Sequence, residues 1–240
     1  MSGSKDKRLF SASLQDANSA FLLAEKGAAQ PIRVGFILLD YFSLQAFTAA
    51  VDALVTANLV RTRPLFEFTT YGIGSLTAKS DLGINISTSG LLDQLHVEGD
   101  DFLDILIVCG GFRCALTERP ILTAKLKAAT RKDCILGTLW NGTIALAQAG
   151  LLDDQECTLH LDNHAFVKES LPRVGISDLA LVVEANRATS AGPSSALEMM
   201  LVLIERSQGK DTVRAIREIL SSDQIAENPD KTLLQSGSDP

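Results

Sequence analysis

The stretch Ile135-Leu-Gly-Thr-Leu-Trp140-Asn-Gly-Thr-Ile-Ala-Leu-Ala-Gln-Ala-Gly150 decides the fold. Its first five residues form a largely apolar run suited to a strand buried on both faces, and the residues from Gly142 suit a helix that Gly150 stops. A strand turning at once into a helix is the repeating unit of α/β proteins with a parallel sheet. Turns of this kind often carry an enzyme's nucleophile at the tip. Here the tip holds Trp140, whose indole attacks nothing.

The same unit recurs on both sides of this stretch. Upstream, Ile32 to Leu39 is a continuous apolar run, so it predicts a buried strand. Asp40 and Ser43 are placed to cap the helix that follows, whose core face carries Leu44, Phe47, Ala50, Val51 and Leu54. Leu65 to Tyr71 alternates as a strand does, and residues 72–100, with Gly72, Gly74, Gly83 and Gly90, predict hairpin or loop excursions. Asp104 to Cys109 is another strand, ended by Gly110-Gly111. Residues 119–131 form a helix with Pro120 in its first turn. Downstream, short strands are expected at 180–184 and 188–191, then helices over 193–207 and 210–222. The pattern predicts an α/β fold with a largely parallel sheet.

Composition narrows the function. The chain has 240 residues, of which 46% are hydrophobic and 21% charged, within the range of an ordinary globular protein. A net charge of −7 argues against this chain holding nucleic acid by itself, since phosphate binding needs a Lys/Arg-rich face. No run approaches the roughly 20 apolar residues of a membrane span, and no leader pattern is present. The four cysteines have no C-x-x-C spacing and read as reduced thiols, so a cytoplasmic location is expected. Residues 1–30 are polar and mixed, with a hint of an amphipathic helix at Leu14, Ala17, Phe21 and Leu22. Residues 226–240 have the composition of a linker.

In parallel α/β sheets the working site lies at the carboxyl ends of the strands. Gly110-Gly111 and Trp140-Asn141-Gly142 stand at two such ends. The glycines are either tight turns or backbone freed to approach a ligand. Trp140 is either a core aromatic or a pocket wall that stacks on a ligand, in particular a protonated or quaternary amine. His160 and His164 have the spacing of a shared metal on one helix face, but Leu161 stands where a hydrolytic zinc helix has Glu and no third ligand is evident. Hydrogen-bonded structural or pocket-edge histidines are the preferred reading, with no metal and no cofactor. Gly192-Pro-Ser194-Ser-Ala196 loosely mimics a serine elbow and is better explained as a helix start, capped by Ser190 or Ser194. Cys109 and Cys134 read as core residues. Cys109, beside the double glycine, is the one thiol placed for chemistry.

Four segments then carry a resemblance. They are Val34-Gly-Phe-Ile-Leu-Leu-Asp40-Tyr-Phe42-Ser43 with Ala50-Val-Asp-Ala-Leu54; Leu106-Ile-Val-Cys-Gly-Gly111; Gly137-Thr-Leu-Trp-Asn-Gly142 running to Leu152 and Thr158-Leu-His160; and Thr189-Ser-Ala-Gly192 before Ala196 to Leu203. In this order they resemble the class I glutamine amidotransferase-like (ThiJ/PfpI) superfamily, most closely the ligand-binding half of AraC-family transcriptional regulators. The resemblance implies a three-layer flavodoxin-like sandwich over residues 31–222, after an N-terminal extension (1–30). Residues 223–240 resemble the connector that in such regulators leads to a helix-turn-helix DNA-binding domain, absent from this chain.

The departures matter more. The superfamily's enzymes have cysteine at the elbow tip, where this sequence has Trp140. They also tend to place a carboxylate early in the first helix, where this sequence offers Gln45. Covalent catalysis at the tip is excluded, because an indole is no nucleophile. The resemblance therefore implies an effector-sensing domain that binds a small metabolite in a non-catalytic pocket formed by Ser43, Gly110, Gly111, Trp140, Asn141 and His160. Backbone N–H groups there suit a carboxylate and Trp140 suits a cationic or apolar portion, so an amino acid or a quaternary amine is expected. A homodimer is also implied. The alternatives are a ThiJ/PfpI-type hydrolase or hydratase with a non-standard nucleophile, or a dimerisation module built on the helix at 194–208.

Overall fold

Period-two alternation along Ile32–Leu38 (β1) sorts its side chains between two cores. Val34, Phe36 and Leu38 pack with Phe47, Ala50, Leu54, Met199 and Met200. Ile37, with Leu39 just beyond the strand, packs with Leu106, Leu122, Leu126 and Leu146. A strand buried on both faces is what its apolar run predicts. The computed structural model describes residues 30–60, 64–97, 102–132 and 134–220. The amphipathic pattern near the N-terminus and the connector at 223–240 lie outside the described residues.

After β1 come α1 (Leu44–Leu59), β2 (Phe66–Gly72), a hairpin of β3 (Thr77–Lys79) and β4 (Asn85–Ser87), and the two-residue β5 (Gly90–Leu91). Then follow β6 (Ile105–Cys109), α2 (Pro120–Thr130), β7 (Ile135–Leu139) and α3 (Gly142–Gln148). The described chain finishes with β8 (Glu156–Cys157), α4 (His164–Ser170), β9 (Gly175–Ile176), β10 (Leu181–Val183), β11 (Arg187–Ser190), α5 (Pro193–Gln208) and α6 (Lys210–Leu220).

Seven strands form the central sheet in the order β10-β11-β7-β6-β1-β2-β5. Every pairing in it is parallel except β10 with β11. Residues of α1, α5 and α6 share one core, and residues of α2 and α3 share the other. The expected three-layer α/β sandwich is therefore the fold. From β1 the chain steps outward to β2, then returns to place β6 on the other side of β1. Such a reversal opens a crevice at the carboxyl ends of the strands. Register makes those ends level: Leu38 pairs with Cys109, Cys109 with Leu139, and Leu139 with Ser190.

Local signals account for most boundaries. Pro120 opens α2 at a position where its missing N–H is harmless. Gly150 follows α3 at φ 69°, a left-handed conformation that favours glycine. Ser43 caps α1, its Oγ accepting the Ala46 N–H at 3.3 Å. The second acceptor at that end is Asp81, which takes the Leu44 N–H at 3.1 Å, and not Asp40 as the sequence suggests. Tyr41, at φ 61°, turns the chain between Asp40 and the helix. Gly192-Pro-Ser194 is a helix start, yet neither expected serine caps it. Ser195 Oγ accepts the Gly192 N–H at 3.2 Å, while Ser190 Oγ is turned to the Thr138 carbonyl. Helix α5 is core material, with Met199 and Met200 fully buried, rather than a free face for dimerisation.

Candidate functional site

The elbow after β7 is built from main-chain crowding. A Cβ on Gly142 would stand 2.2 Å from the Val108 carbonyl oxygen, so only glycine lets α3 start so close to β6. Trp140, one step past the strand, sits at φ 55°, a left-handed conformation that non-glycine residues rarely hold. Its N–H donates to the Ser190 carbonyl at 2.9 Å, which ties the tip to the end of β11. Backbone strain concentrated at one tip residue is a mark of functional sites.

The two glycines after β6 are also fixed by close approach. A Cβ on Gly110 would meet Gly142 N at 2.2 Å, and one on Gly111 would meet Tyr41 O at 2.4 Å. The room their missing side chains leave is thus taken by the chain's own backbone, the elbow on one side and the Tyr41–Ser43 turn on the other. The Ser43 N–H donates to the Gly110 carbonyl at 2.9 Å, and its hydroxyl is committed to the cap of α1. Asn141 is buried. Its Nδ2 donates to the Gly111 carbonyl at 3.1 Å and its Oδ1 accepts from Asn163 Nδ2 at 2.8 Å. Ser43, Gly110, Gly111 and Asn141 therefore form one buried brace beneath the elbow.

Above it stand the two rings. Trp140 and His160 are stacked, with centroids 4.8 Å apart and planes 16° from parallel. The indole is neither a sealed core aromatic nor fully exposed. Its Nε1 is buried and has no hydrogen-bond partner among the described residues. The His160 side chain is 34% exposed, and its Nδ1 accepts the Asp162 N–H at 3.4 Å. His164 does not share a helix face with it. A 3-10 turn at residues 161–163 intervenes, His164 is the first residue of α4, and its Nε2 lies 3.1 Å from the Leu159 carbonyl. The premise of a two-histidine metal helix thus fails.

None of the four thiols is set up as a nucleophile. All are free and buried. Burial pushes Cys109, beside Cys114, well above the ordinary thiol range. Burial likewise holds Cys114 and Cys134 at about 12 and Cys157 at about 11. The reactive species is the thiolate, and these groups stay protonated at neutral pH.

The carboxyl ends of the strands carry further groups that spacing did not single out. Tyr41 is 38% exposed with Lys79 Nζ 5.9 Å from its ring centroid, and Phe112, next to Gly111, is 59% exposed. Their loops follow β1 and β6, the strands flanking the crevice. Asn163 is the other residue missed. Its role depends on a contact 22 positions back in the chain, for which no local pattern exists.

Comparison with known proteins fits this geometry. Residues 32–206 match the DJ-1/PfpI family. The HTH-type transcriptional regulator GbdR of Pseudomonas aeruginosa is 32% identical over 200 residues, 83% of this chain and 53% of that protein. The HTH-type transcriptional regulator GlxA of Rhizobium meliloti is 27% identical over 195 residues, 81% of this chain and 59% of that protein. The chain thus spans little more than half the length of these curated relatives. The crystal structure of an AraC family transcriptional regulator from Pseudomonas putida superposes with a TM-score of 0.72 at 37% identity, covering 80% of this chain and all of that one. Drosophila melanogaster DJ-1beta, at 22% identity and a TM-score of 0.67 over 80% of this chain and 98% of its own, shares the fold. With its elbow, its brace and a family match running from β1 into α5, the chain belongs to the DJ-1/PfpI family, alongside the domain of that kind in AraC-family transcriptional regulators.

Proposed function

We propose that this chain is the effector-sensing domain of a transcriptional regulator and that it binds a small metabolite without chemical change. The observation that carries the reading is Trp140 at the strained elbow tip, a position where the resemblance would put an enzyme's nucleophile. An indole face attracts a protonated or quaternary amine, by roughly 0.5–2 kcal/mol depending on desolvation. The buried, unpartnered Nε1–H supports the same reading. A buried donor left unpaired costs about 1–3 kcal/mol, and an acceptor brought by a ligand, such as a carboxylate, would recover part of it. An amino acid carries both features, as does a quaternary amine that also bears a carboxylate, whereas a simple quaternary amine offers the cation alone.

DNA contact belongs, in this reading, to a helix-turn-helix domain outside the chain, as the relatives' names suggest. The net charge of −7 agrees with that division of labour. Among the described residues no helix is long and apolar enough to cross a membrane, and we place the protein in the cytoplasm as a homodimer. The hydrolase or hydratase alternative finds no support in four buried thiols with raised pKa values.

A thermal-shift screen of amino acids and quaternary amines tests the proposal. A true effector at about a hundred times its Kd should add about 2.7 kcal/mol of stability, and Trp140→Ala should abolish the shift. If no compound of either class raises the Tm, or if Trp140→Ala leaves the shift intact, the proposed seat is wrong.

A further inference from the structure

Beside the elbow runs a chain of buried hydroxyls with no direct part in the ring stack. The Thr138 and Thr143 hydroxyl oxygens lie 2.7 Å apart, and Thr143 Oγ1 is 3.0 Å from the Thr158 carbonyl. A carbonyl only accepts, and a hydroxyl has a single proton to give. Thr143 therefore donates to Thr158, and Thr138 donates to Thr143. The Thr158 N–H in turn donates to Thr189 Oγ1 at 2.9 Å, while its own hydroxyl donates to the Leu179 carbonyl. Ser190 Oγ donates to the Thr138 carbonyl at 3.3 Å. Thr138, Thr143, Thr158, Thr189 and Ser190 are each 2% exposed or less.

Thr158 is thereby gripped at its N–H, its carbonyl and its hydroxyl by three separate parts of the chain. Further on, Asn163 is pinned to Asn141, which is itself pinned to the Gly111 carbonyl. His160 lies between these two anchors. Thr143 and Asn141 also sit on the elbow, immediately around Trp140. Both rings of the stack thus take their places from one set of buried contacts. In a water-excluded interior each such contact is costly to break, because the partner left behind stays unpaired.

We infer that Thr143 and Asn163 are positioning residues that hold His160 over Trp140. Thr143 acts through the Thr158 backbone and Asn163 through Asn141, and neither belongs to the ring surface itself. For its functional meaning this inference rests on the stack being the ligand seat. Its geometric part stands without any ligand.

Trp140 is the sole tryptophan of the chain, so near-UV circular dichroism and tryptophan fluorescence of the full chain report the stack directly. His160→Ala supplies the unstacked reference signal. Thr143→Val and Asn163→Ala should move the Trp140 signal to that reference, whereas Thr143→Ser, which restores the hydroxyl, should keep the wild-type signal. Tetramethylammonium affinity should fall by about tenfold in the first two variants and remain in the third. A wild-type Trp140 signal in a folded Thr143→Val or Asn163→Ala protein overturns the positioning role, as does a His160→Ala signal no different from wild type. Should Thr143→Val fail to fold, Asn163→Ala decides by the same comparison. A wild-type protein that ignores tetramethylammonium and every other quaternary amine would count against the ligand seat instead, and the spectra would still judge the positioning.

Discussion

Trp140 hands its main-chain N–H to the Ser190 carbonyl at 2.9 Å while holding a φ of 55°. The bond fixes the elbow tip in a conformation that disfavours any side chain with a Cβ, at about 1–2 kcal/mol. Replacing Trp140 by glycine and by alanine removes the ring in both cases, but only glycine is free of that penalty. Trp140→Gly should therefore be the more stable of the two by about 1 kcal/mol, the reverse of the usual order. Urea unfolding of the pair measures it. Equal midpoints would mean that the tip relaxes out of the left-handed region.

Alkaline pH should weaken the fold through the thiols. Burial, the largest cause for both, raises Cys114 and Cys134 from an ordinary 9.0 to about 12. In the unfolded chain these groups lose their protons near pH 9, while in the folded chain they keep them. The folded state thus binds more protons above pH 9, so stability is full below that pH and declines as it is exceeded. The expected slope is about 1.4 kcal/mol per pH unit for each thiol. The double variant Cys114→Ala with Cys134→Ala should show a flatter decline in urea unfolding between about pH 9 and 11. Parallel declines would remove the thiols as the cause.

Alkylation separates a sensor from a disguised enzyme. All four cysteines are buried and protonated at neutral pH, so iodoacetamide should label the native protein slowly and the urea-unfolded protein at every thiol. Mass spectrometry counts the adducts. One thiol that reacts fast in the native state, Cys109 above all, would revive the hydrolase or hydratase alternative.

Asn58 offers a test of the frame beneath the site. Its Nδ2 donates to the Phe66 carbonyl at 2.9 Å, and its Oδ1 accepts the N–H groups of Leu65 and Phe66 at 2.8 and 2.9 Å. These bonds fasten the last turn of α1 to Leu65 and to Phe66, the first residue of β2. Asn58→Ala should destabilise the protein by about 2 kcal/mol with no change in the Trp140 spectrum. Chemical denaturation beside near-UV circular dichroism reads both quantities.

Most of the fold was legible because its signals are local. The continuous apolar run from Ile32 to Leu39, the proline opening α2 and the glycine closing α3 each act within a few residues, and the elements lie where those signals put them. The elbow was legible for the same reason, since Gly142 follows Trp140 at fixed spacing. The resemblance put His160 and Trp140 at one pocket, but the stacking of their rings was not legible, because the segment around His160 is held by a hydroxyl chain through Thr143, Thr158 and Thr189, whose contacts span 15 and 31 residues. Asp40 misled as a cap because Asp81, 37 residues away from Leu44, reaches the same N–H from another loop. Pattern reading found the glycines but not their neighbours. Crowding by backbone and room for a ligand call for the same residue.

The two borders of the sheet bear on how this protein can associate. Among the described residues the sheet ends on one side at β5, only two residues long, and on the other at the three-residue β10, which runs antiparallel to its neighbour β11. Each leaves few unpaired main-chain groups, so neither is a ready template for a strand from another molecule. Growth of the sheet across a subunit boundary is thereby disfavoured. Two copies of this chain would then meet through surfaces other than the borders of the central sheet, and contacts there can change without disturbing it.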